Sequence, residues 1–417
     1  MPELLTLSIE RLGGLGDGMA THGGVTVVVP KSAAGDFLRV RVTARRQGAL
    51  LAEIETVLAP GPGRAAAPCP HYAPHADHCG GCSLQHLSET AYREFKRTSL
   101  SEALRKAGFT AAPAEMVFLS AATRRRVTFT LLPRGEGGTQ LSLLQSNSHR
   151  PVPVNACLLL TPALQAFLPG LHETLRGISL PASAGLQLTD TAHGIDLLFR
   201  LPAAAKPALF APIAALPSAA RVSVAWQDQL HIIAETVPVT MHLGAFDVKL
   251  PPGAFLQPTA EGQQRITDFV LRELAGCTRV ADLFAGIGTY SLPLLAQARV
   301  HAFEGDAAMT AALRQAAKGE TFRATRRDLF CNPLLPAELN AFDAAVINPP
   351  RAGARAQCGE IARSRVKRVA MVSCNPATFV RDATLLRQAG FRLQSALGLD
   401  QFTWSAHLEI IARFDRN

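Results

Sequence analysis

The sequence predicts a multidomain α/β protein, and three observations support this prediction. From about residue 246 onward, short apolar segments alternate with helical segments, which is typical of βαβ units and of a doubly wound, Rossmann-like parallel sheet. Residues 1–62 contain short β-type segments between glycine turns, a pattern that predicts a small OB-like β-barrel. Residues 63–245 mix helical and strand patterns and begin with a cysteine cluster, so we expect a central α+β domain.

Length and composition agree with several packed domains. The 417 residues are 48% hydrophobic, which suffices for hydrophobic cores and corresponds to about two to four domains. The apolar stretch 156–171 is interrupted by prolines and is too short to span a bilayer, and the N-terminus lacks the features of a secretory signal. We therefore expect a cytoplasmic protein without a membrane anchor. The net charge of +9 permits a polyanionic partner but does not require one.

Local patterns place the individual elements. In the first domain the predicted strands are Thr6–Ile9, Val25–Val29, Leu38–Val42 and Leu50–Val57. The Ala-Pro-Gly-Pro-Gly run at 59–63 is predicted to be a linker. In the central domain Ser88 is a predicted N-cap for a helix that extends to about residue 107, and the predicted strands are Val127–Leu132, Leu141–Leu144, Val222–Trp226 and Leu230–Ala234. In the C-terminal domain they are Val280–Phe284, Val300–Phe303, Ala344–Ile347, Val369–Val372 and His407–Phe414.

A glycine-containing loop follows the first strand of the C-terminal domain. Its sequence at 282–289 is Asp-Leu-Phe-Ala-Gly-Ile-Gly-Thr, and we expect a helix after Gly288. Gly286 and Gly288 allow the backbone to approach a ligand closely, and Glu304, at the end of the next strand, can accept hydrogen bonds from ribose hydroxyls. A third glycine at the spacing of dinucleotide sites is missing. The loop therefore favours a methionine-derived nucleoside over NAD, with a simple tight turn as the alternative.

Cys374 follows the strand Val369–Val372 and precedes a predicted helix with Asn375 as its cap and Pro376 in its first turn. This position lies at the carboxyl edge of a parallel sheet, where ligands bind in this fold class. We expect the helix dipole to lower the pKa of the thiol. A buried structural cysteine is the alternative interpretation.

Two further features concern metals and nucleic acids. Three of the eight cysteines, Cys69, Cys79 and Cys82, lie within fourteen residues, a spacing that indicates a metal or iron–sulfur site and not a disulfide scaffold. The run Arg124-Arg125-Arg126 precedes a predicted strand. We favour a phosphate or structural RNA contact for this run over a solvated loop.

Several motifs in a fixed order carry a family resemblance. They are Phe-Leu-Gln at 255–257, the glycine loop at 282–288, Glu304, Asn-Pro-Pro-Arg-Ala-Gly at 348–353, Ser-Cys-Asn-Pro-Ala-Thr at 373–378 and His-Leu-Glu at 407–409. With the N-terminal strands and the cysteine cluster, the chain resembles the bacterial RNA uracil-C5 methyltransferases, especially the 23S rRNA enzymes that carry a TRAM domain and a [4Fe–4S] cluster. The resemblance extends over nearly the whole chain.

The resemblance implies S-adenosyl-L-methionine-dependent methylation of C5 of a uridine in 23S rRNA. In this chemistry Cys374 attacks C6 as the nucleophile and Glu409 removes the C5 proton as the general base. The residues implied for the cofactor and uracil pocket are Gln257, Phe284, Gly286, Gly288, Thr289, Glu304, Asp328 and Asn348. Asn348 stands where the family usually has Asp, so the chain keeps an acceptor oxygen there but loses a charge.

The resemblance also implies a [4Fe–4S] cluster and a monomer. The implied cluster ligands are Cys69, Cys79, Cys82 and Cys157. The spacing Cys69-x9-Cys79 is longer than in the family, and the insertion contains His71, His75 and His78; zinc is therefore the alternative metal. A tRNA uridine-C5 methyltransferase and a non-catalytic RNA-binding or assembly factor are the alternative functions.

Overall fold

The computed structural model describes residues 3–73, 78–109, 114–135, 137–146, 148–181, 184–319 and 321–416. Within these ranges the strands form sheets of six, seven and eight strands and one two-stranded hairpin. Among the same residues, none of the helices combines the length and the apolarity that a bilayer crossing requires.

The six-stranded sheet contains the N-terminal strands in the order β1-β5-β6-β4-β3-β2. Their bounds are β1 Leu4–Ser8, β2 Arg11–Leu12, β3 Gly18–His22, β4 Val25–Val29, β5 Phe37–Arg46 and β6 Ala49–Ala59. Burial alternates along β1, where Leu5 and Leu7 face a core that includes Val27 and Leu38. The strand content agrees with the sequence prediction, and the closure of this sheet into a barrel stays a prediction.

The segment predicted to be a linker is fixed against this sheet. The buried carboxylate of Asp36 accepts hydrogen bonds from the backbone N–H groups of Ala33 (2.6 Å) and Gly61 (2.9 Å) and from the Arg64 guanidinium. A Cβ on Gly61 would lie 2.5 Å from the carbonyl oxygen of Ala34. Glycine at this position therefore permits the close approach of two backbone segments.

The central part of the chain begins with helix α1, Glu89–Lys106, and strand β7, Ala114–Phe118. The Ser88 hydroxyl accepts a hydrogen bond from the backbone N–H of Ala91, as the predicted N-cap requires. A seven-stranded sheet follows in the order β10-β9-β8-β11-β12-β13-β14. Its elements are β8 Arg126–Pro133, β9 Thr139–Leu144, β10 Pro151–Pro153, α2 Pro162–Arg176, β11 Ala184–Thr191, β12 Gly194–Leu201, α3 Ala211–Ala214, β13 Ala219–Trp226 and β14 Gln229–Glu235.

The third sheet has eight strands in the order β19-β18-β17-β20-β21-β23-β22-β7. It follows the hairpin of β15, Thr240–Leu243, and β16, Phe246–Lys249. The further elements are α4 Ala260–Glu273, β17 Arg279–Leu283, α5 Ser291–Leu294, β18 Arg299–Glu304, α6 Ala307–Ala316, β19 Phe322–Arg326, α7 Pro336–Leu339, β20 Ala344–Ile347, α8 Arg355–Arg363, β21 Arg368–Ser373, α9 Pro376–Gln388, β22 Arg392–Asp400 and β23 Glu409–Asp415.

This sheet is doubly wound, as the sequence predicts. Five neighbouring strands are parallel, in the order β19, β18, β17, β20 and β21. Strand β23 is antiparallel to both of its neighbours, β21 and β22. The helix expected after Gly288 is reduced to α5, a single helical turn of four residues that ends before β18 begins at Arg299.

Helix α1 and strand β7 pack on this C-terminal sheet, although both lie in the segment 63–245 that we expected to form a central domain. Strand β7 pairs in parallel with β22. The α1 residues Leu100, Ala103 and Leu104 belong to the same hydrophobic cluster as Met371 of β21. Helix α1 and strand β7 therefore precede the expected boundary at 245/246 but pack with residues that follow it.

A buried ion pair in the seven-stranded sheet provides a stability test. Arg221 and Asp196, with side chains 0% and 6% exposed, form two hydrogen bonds of 2.8 Å. We expect Arg221→Met to destabilise the protein by about 3–5 kcal/mol, because it leaves the Asp196 carboxylate buried without its partner. Urea denaturation followed by tryptophan fluorescence measures the change, with Trp226 on the same strand as a local probe.

Arg265→Met is the matched control, since the pair of Arg265 with Glu261 lies on the surface, with the side chains 53% and 50% exposed. We expect it to shift stability by less than about 1 kcal/mol. Equal changes in the free energy of unfolding of the two variants would show that the buried ion pair of Arg221 does not stabilise the protein.

Candidate active site at the carboxyl edge of the C-terminal sheet

One cavity of about 760 Å³ opens at the carboxyl ends of β17, β18, β20 and β21 and continues toward the cysteine segment. The sequence-predicted site residues that line it are Cys69, Cys79, Cys82, Cys157, Gln257, Phe284, Gly286, Thr289, Glu304, Asp328, Asn348, Cys374 and Glu409. Parallel strands present their carboxyl ends at the same edge of a sheet, which explains why residues distant in sequence meet here.

The two glycines of the loop, Gly286 and Gly288, have different surroundings. Phe284 and Gly286 adopt the left-handed backbone conformation, with φ of 63° and 58°, and no atom lies within 4 Å of a Cβ built on Gly286. The backbone at Gly286 therefore faces open space in the cavity. Gly288 does not line the cavity; a Cβ there would lie 2.4 Å from Leu313, so this glycine permits packing and not direct ligand contact.

Carboxyl groups surround this loop at different depths. Glu304 accepts hydrogen bonds from the backbone N–H groups of Gly286 and Asp306, both at 2.8 Å. Asp282 lies beneath the loop, fully buried, and accepts the Ser291 hydroxyl at 2.5 Å; burial raises its pKa to about 7. Asp328 is exposed at the rim and accepts the backbone N–H of Phe330. The open backbone at Gly286 beside a fixed Glu304 carboxylate fits the ribose of an adenosine-type ligand.

Cys374 lies between the end of β21 and the start of α9. The Asn375 side chain accepts the backbone N–H of Ala377 at 3.0 Å and Pro376 begins the helix, as predicted. The expected lowering of the thiol pKa is wrong, because burial and the negative charge of Glu409 raise it to about 11. The Arg351 guanidinium beside the thiol acts in the opposite direction and lowers the pKa.

Glu409 begins β23 and is 2% exposed. Its Oε2 accepts a hydrogen bond of 2.7 Å from the Gln401 amide. Burial raises the pKa of this carboxyl group to about 7, while the Gln401 hydrogen bond lowers it. At neutral pH the group can therefore exist with or without its proton, which a group that takes up and releases a proton requires.

A chain of buried hydrogen bonds joins Glu409 to the glycine-loop side of the cavity. The Gln401 amide also donates to Gln257 Oε1 (2.9 Å), and the Gln257 amide donates to the Tyr290 hydroxyl (3.2 Å). The Asn348 amide donates to the same hydroxyl (3.3 Å). Asn348 thus acts as a donor, which Asp in its usual ionised form could not do.

Sequence reasoning missed Gln401, Tyr290 and Arg351 as site residues. Tyr290 lies directly after the glycine loop and Arg351 within the Asn-Pro-Pro-Arg motif, so nearness to these motifs is a usable signal for both. Gln401 lies eight positions before Glu409, its first partner, but its second partner Gln257 is 144 positions away.

The basic run at 124–126 divides into two roles. Arg125 is buried and donates to the backbone oxygen of Gln257 (3.0 Å) and to the Gln263 side chain (2.7 Å), so it supports the site from behind. Arg124 and Arg126 line the cavity, and the Arg126 guanidinium stacks 5.2 Å from the ring centre of Phe255. The RNA contact predicted for the run therefore fits Arg124 and Arg126 and does not fit Arg125.

The four cysteines predicted as ligands line the far end of the same cavity. Burial raises the pKa values of the Cys79, Cys82 and Cys157 thiols, and charges on neighbouring cysteines raise them further. In the part of the chain that the structure describes, no three His, Cys, Asp or Glu side chains converge closely enough to define a metal site. His71 is bonded to Asn155 (2.8 Å), and His75 lies outside the described residues.

Several known proteins are similar to this chain. A sequence profile described as tRNA (Uracil-5-)-methyltransferase matches residues 330–415. An uncharacterized RNA methyltransferase of Rhizobium meliloti is 36% identical over 99% of both chains. The 23S rRNA (uracil(1939)-C(5))-methyltransferase RlmD of Chromohalobacter salexigens is 33% identical, over 99% of this chain and 89% of its own.

Among solved structures, the Pyrococcus abyssi tRNA (uracil-54, C5)-methyltransferase in complex with S-adenosyl-L-homocysteine has the same fold. The TM-score is 0.70 at 18% identity, and the match covers 98% of this chain and 100% of that one. Fold, cavity and relatives together define an RNA methyltransferase that depends on S-adenosyl-L-methionine. More narrowly, the chain belongs to the RNA uracil-C5 methyltransferase family.

Proposed function

We propose that the protein methylates C5 of a uridine in 23S rRNA through a covalent bond between Cys374 and C6 of the base. The observation that carries the proposal is that Cys374 and Glu409 open into one cavity beside the glycine loop. The choice of 23S rRNA is supported by the full-length similarity to RlmD. S-Adenosyl-L-methionine, when bound, supplies an electrophilic methyl group on a sulfonium sulfur, and Gly286, Glu304 and Asn348 are the residues that would hold it.

Cys374 supplies the activation that uracil lacks. Addition of its thiolate to C6 breaks the C5–C6 double bond and moves electron density to C5 and O4, so that C5 becomes nucleophilic. Because the thiol pKa lies near 11 in the free protein, the thiolate needs further stabilisation when RNA binds. Arg351, which already lowers this pKa, supplies positive charge at that point.

Glu409 ends the reaction. After C5 has received the methyl group, the Glu409 carboxylate removes the C5 proton, the C5–C6 double bond re-forms and the electron pair of the C6–S bond returns to Cys374. The hydrogen bond from Gln401 holds one carboxylate oxygen and leaves the other available for the proton. The target base must leave the RNA stack to reach this depth, and Arg124 and Arg126 line the cavity where they can hold its flanking phosphates.

The remaining parts of the chain have architectural and RNA-binding roles in this proposal. Residues 1–62 form a TRAM-like barrel, residues 63–245 a central domain and residues 246–417 the methyltransferase domain, with α1 and β7 packed on the latter. Cys69, Cys79, Cys82 and Cys157 are the proposed ligands of a [4Fe–4S] cluster, because all four line one end of the cavity and four thiols are the donor set that such clusters take. Binding of the cluster would have to draw these thiols together, since no three of them converge as metal ligands in the described residues. The protein works as a cytoplasmic monomer.

The Cys374→Ala variant tests the nucleophile. We expect methylation of 23S rRNA transcripts to fall by at least about 1,000-fold, and the covalent adduct with 5-fluorouridine-containing RNA to disappear from denaturing gels. Cys331→Ala is the control, because Cys331 is an exposed cysteine, and it should behave as the wild type. Methylation by Cys374→Ala, or preferential methylation of tRNA transcripts by the wild type, would contradict the proposal.

The Glu409→Gln variant tests the base. Because the C5 proton then stays in place, the methylated RNA should remain attached to Cys374, and ordinary RNA should give a stable adduct in the presence of the methyl donor. In the wild type, the rate of adduct breakdown should rise with pH and level off above about 7, as the Glu409 carboxyl loses its proton. Rapid release of methylated RNA by Glu409→Gln would exclude this role.

Anaerobic purification tests the cluster. We expect a brown protein with about four iron and four sulfide per chain, and loss of the colour when Cys82 and Cys157 are replaced by Ser. A colourless protein with stoichiometric zinc would instead establish the alternative metal. Chromatography of the same preparation checks the monomer.

A further inference from the structure

The catalytic base follows an eight-residue connection, 401–408, between β22 and β23. Gln401, the hydrogen-bond partner of Glu409, is its first residue, and Leu399 is paired opposite Glu409 in the sheet. The position of the carboxylate and its donor therefore depends on how this connection is held.

Helix α1 holds both ends of the connection. The Lys96 ammonium donates to Asp400 Oδ1 (2.7 Å), just before the connection, and to the carbonyl oxygen of His407 near its end. Lys96 and Asp400 are 0% and 1% exposed. The Tyr92 hydroxyl, one helical turn from Lys96, donates to the other oxygen of Asp400.

The middle of the connection is held at Trp404. Its backbone N–H donates to the Tyr92 hydroxyl (3.0 Å), and its carbonyl oxygen accepts the N–H groups of Ser83 (2.8 Å) and Leu84 (2.9 Å). Trp404 has φ of 57°, in the left-handed region that non-glycine residues rarely adopt. Such a conformation persists where the surroundings impose it, and here three hydrogen bonds do so.

We infer that Tyr92, Lys96 and Asp400 form a clamp that positions Gln401 and Glu409 for removal of the C5 proton. These three are positioning residues, since none of them lines the cavity. A buried ammonium–carboxylate pair contributes little net stability by itself, because both charges lose their hydration. Here Lys96 and Tyr92 together hold the chain at Asp400, Trp404 and His407. The inference rests on the proposed role of Glu409 as the general base. It names the residues that keep the Glu409 carboxylate in position for that role.

The clamp predicts a specific kinetic defect. Addition of Cys374 and methyl transfer do not require Glu409, whereas breakdown of the adduct does. Tyr92→Phe removes one hydroxyl at nearly constant volume, and Lys96→Met removes the ammonium group. In single turnovers with ordinary 23S rRNA and labelled methyl donor, we expect both variants to raise the ratio of methylated adduct to released product by at least about tenfold, because small misplacements of a reacting group slow its step strongly.

Lys106→Met is the matched control, because it makes the same change on the same helix at an exposed residue paired with Glu102. It should keep the wild-type ratio. A second readout is the pH dependence of adduct breakdown: Tyr92→Phe should move its rise to higher pH, because withdrawal of Gln401 removes the interaction that favours the Glu409 carboxylate.

Two outcomes would overturn the clamp. One is a wild-type ratio of methylated adduct to released product in Tyr92→Phe. This result excludes the clamp even if Lys96→Met fails to fold. The other is an equal loss of adduct and product, which is what general destabilisation gives. Glu409→Gln separates this inference from the proposed function: if that variant accumulates adduct and Tyr92→Phe does not, the clamp is wrong and the base assignment stands.

Discussion

The carboxyl group of Glu409 is the constraint on which the rest of the site depends. A carboxylate that is 2% exposed is costly to ionise unless the protein supplies donors. Gln401 supplies one, and Gln257 and Tyr290 extend the contact toward the glycine loop. The amide groups of Gln401 and Gln257 each donate to a defined acceptor, and these hydrogen bonds connect the two sides of the cavity.

The cavity also explains why Cys374, the proposed nucleophile, is held as a protonated and weakly reactive thiol. Burial and the Glu409 charge keep Cys374 protonated in the free protein, with Arg351 opposing them. A thiol of this kind resists oxidation and adventitious alkylation, since both reactions proceed through the thiolate. In the proposed reaction, the positive charge of Arg351 must therefore stabilise the thiolate once the uridine is bound.

The sequence was sufficient for features whose signals are local. The apolar strands β17, β18, β20 and β21, the Ser88 cap of α1 and the start of α9 at Pro376 were all predicted, because each depends on a few neighbouring residues. The pKa direction of Cys374 was wrong because the helix start is visible in the sequence while burial and the Glu409 charge are not. The contact of Gln401 with Gln257 and the place of β7 in the C-terminal sheet depend on partners far along the chain, so neighbouring residues do not reveal them.

The placement of α1 and β7 has a consequence for synthesis of the chain. Tyr92 and Asp400 are 308 positions apart, and β7 has its sheet neighbour in β22, so the ribosome releases α1 and β7 long before their partners exist. Contacts of such separation close slowly. The apolar face of α1 must stay soluble meanwhile, and the edge of β7 is open to other strands. The nascent protein therefore passes through a long interval in which the apolar face of α1 has no sheet to pack against.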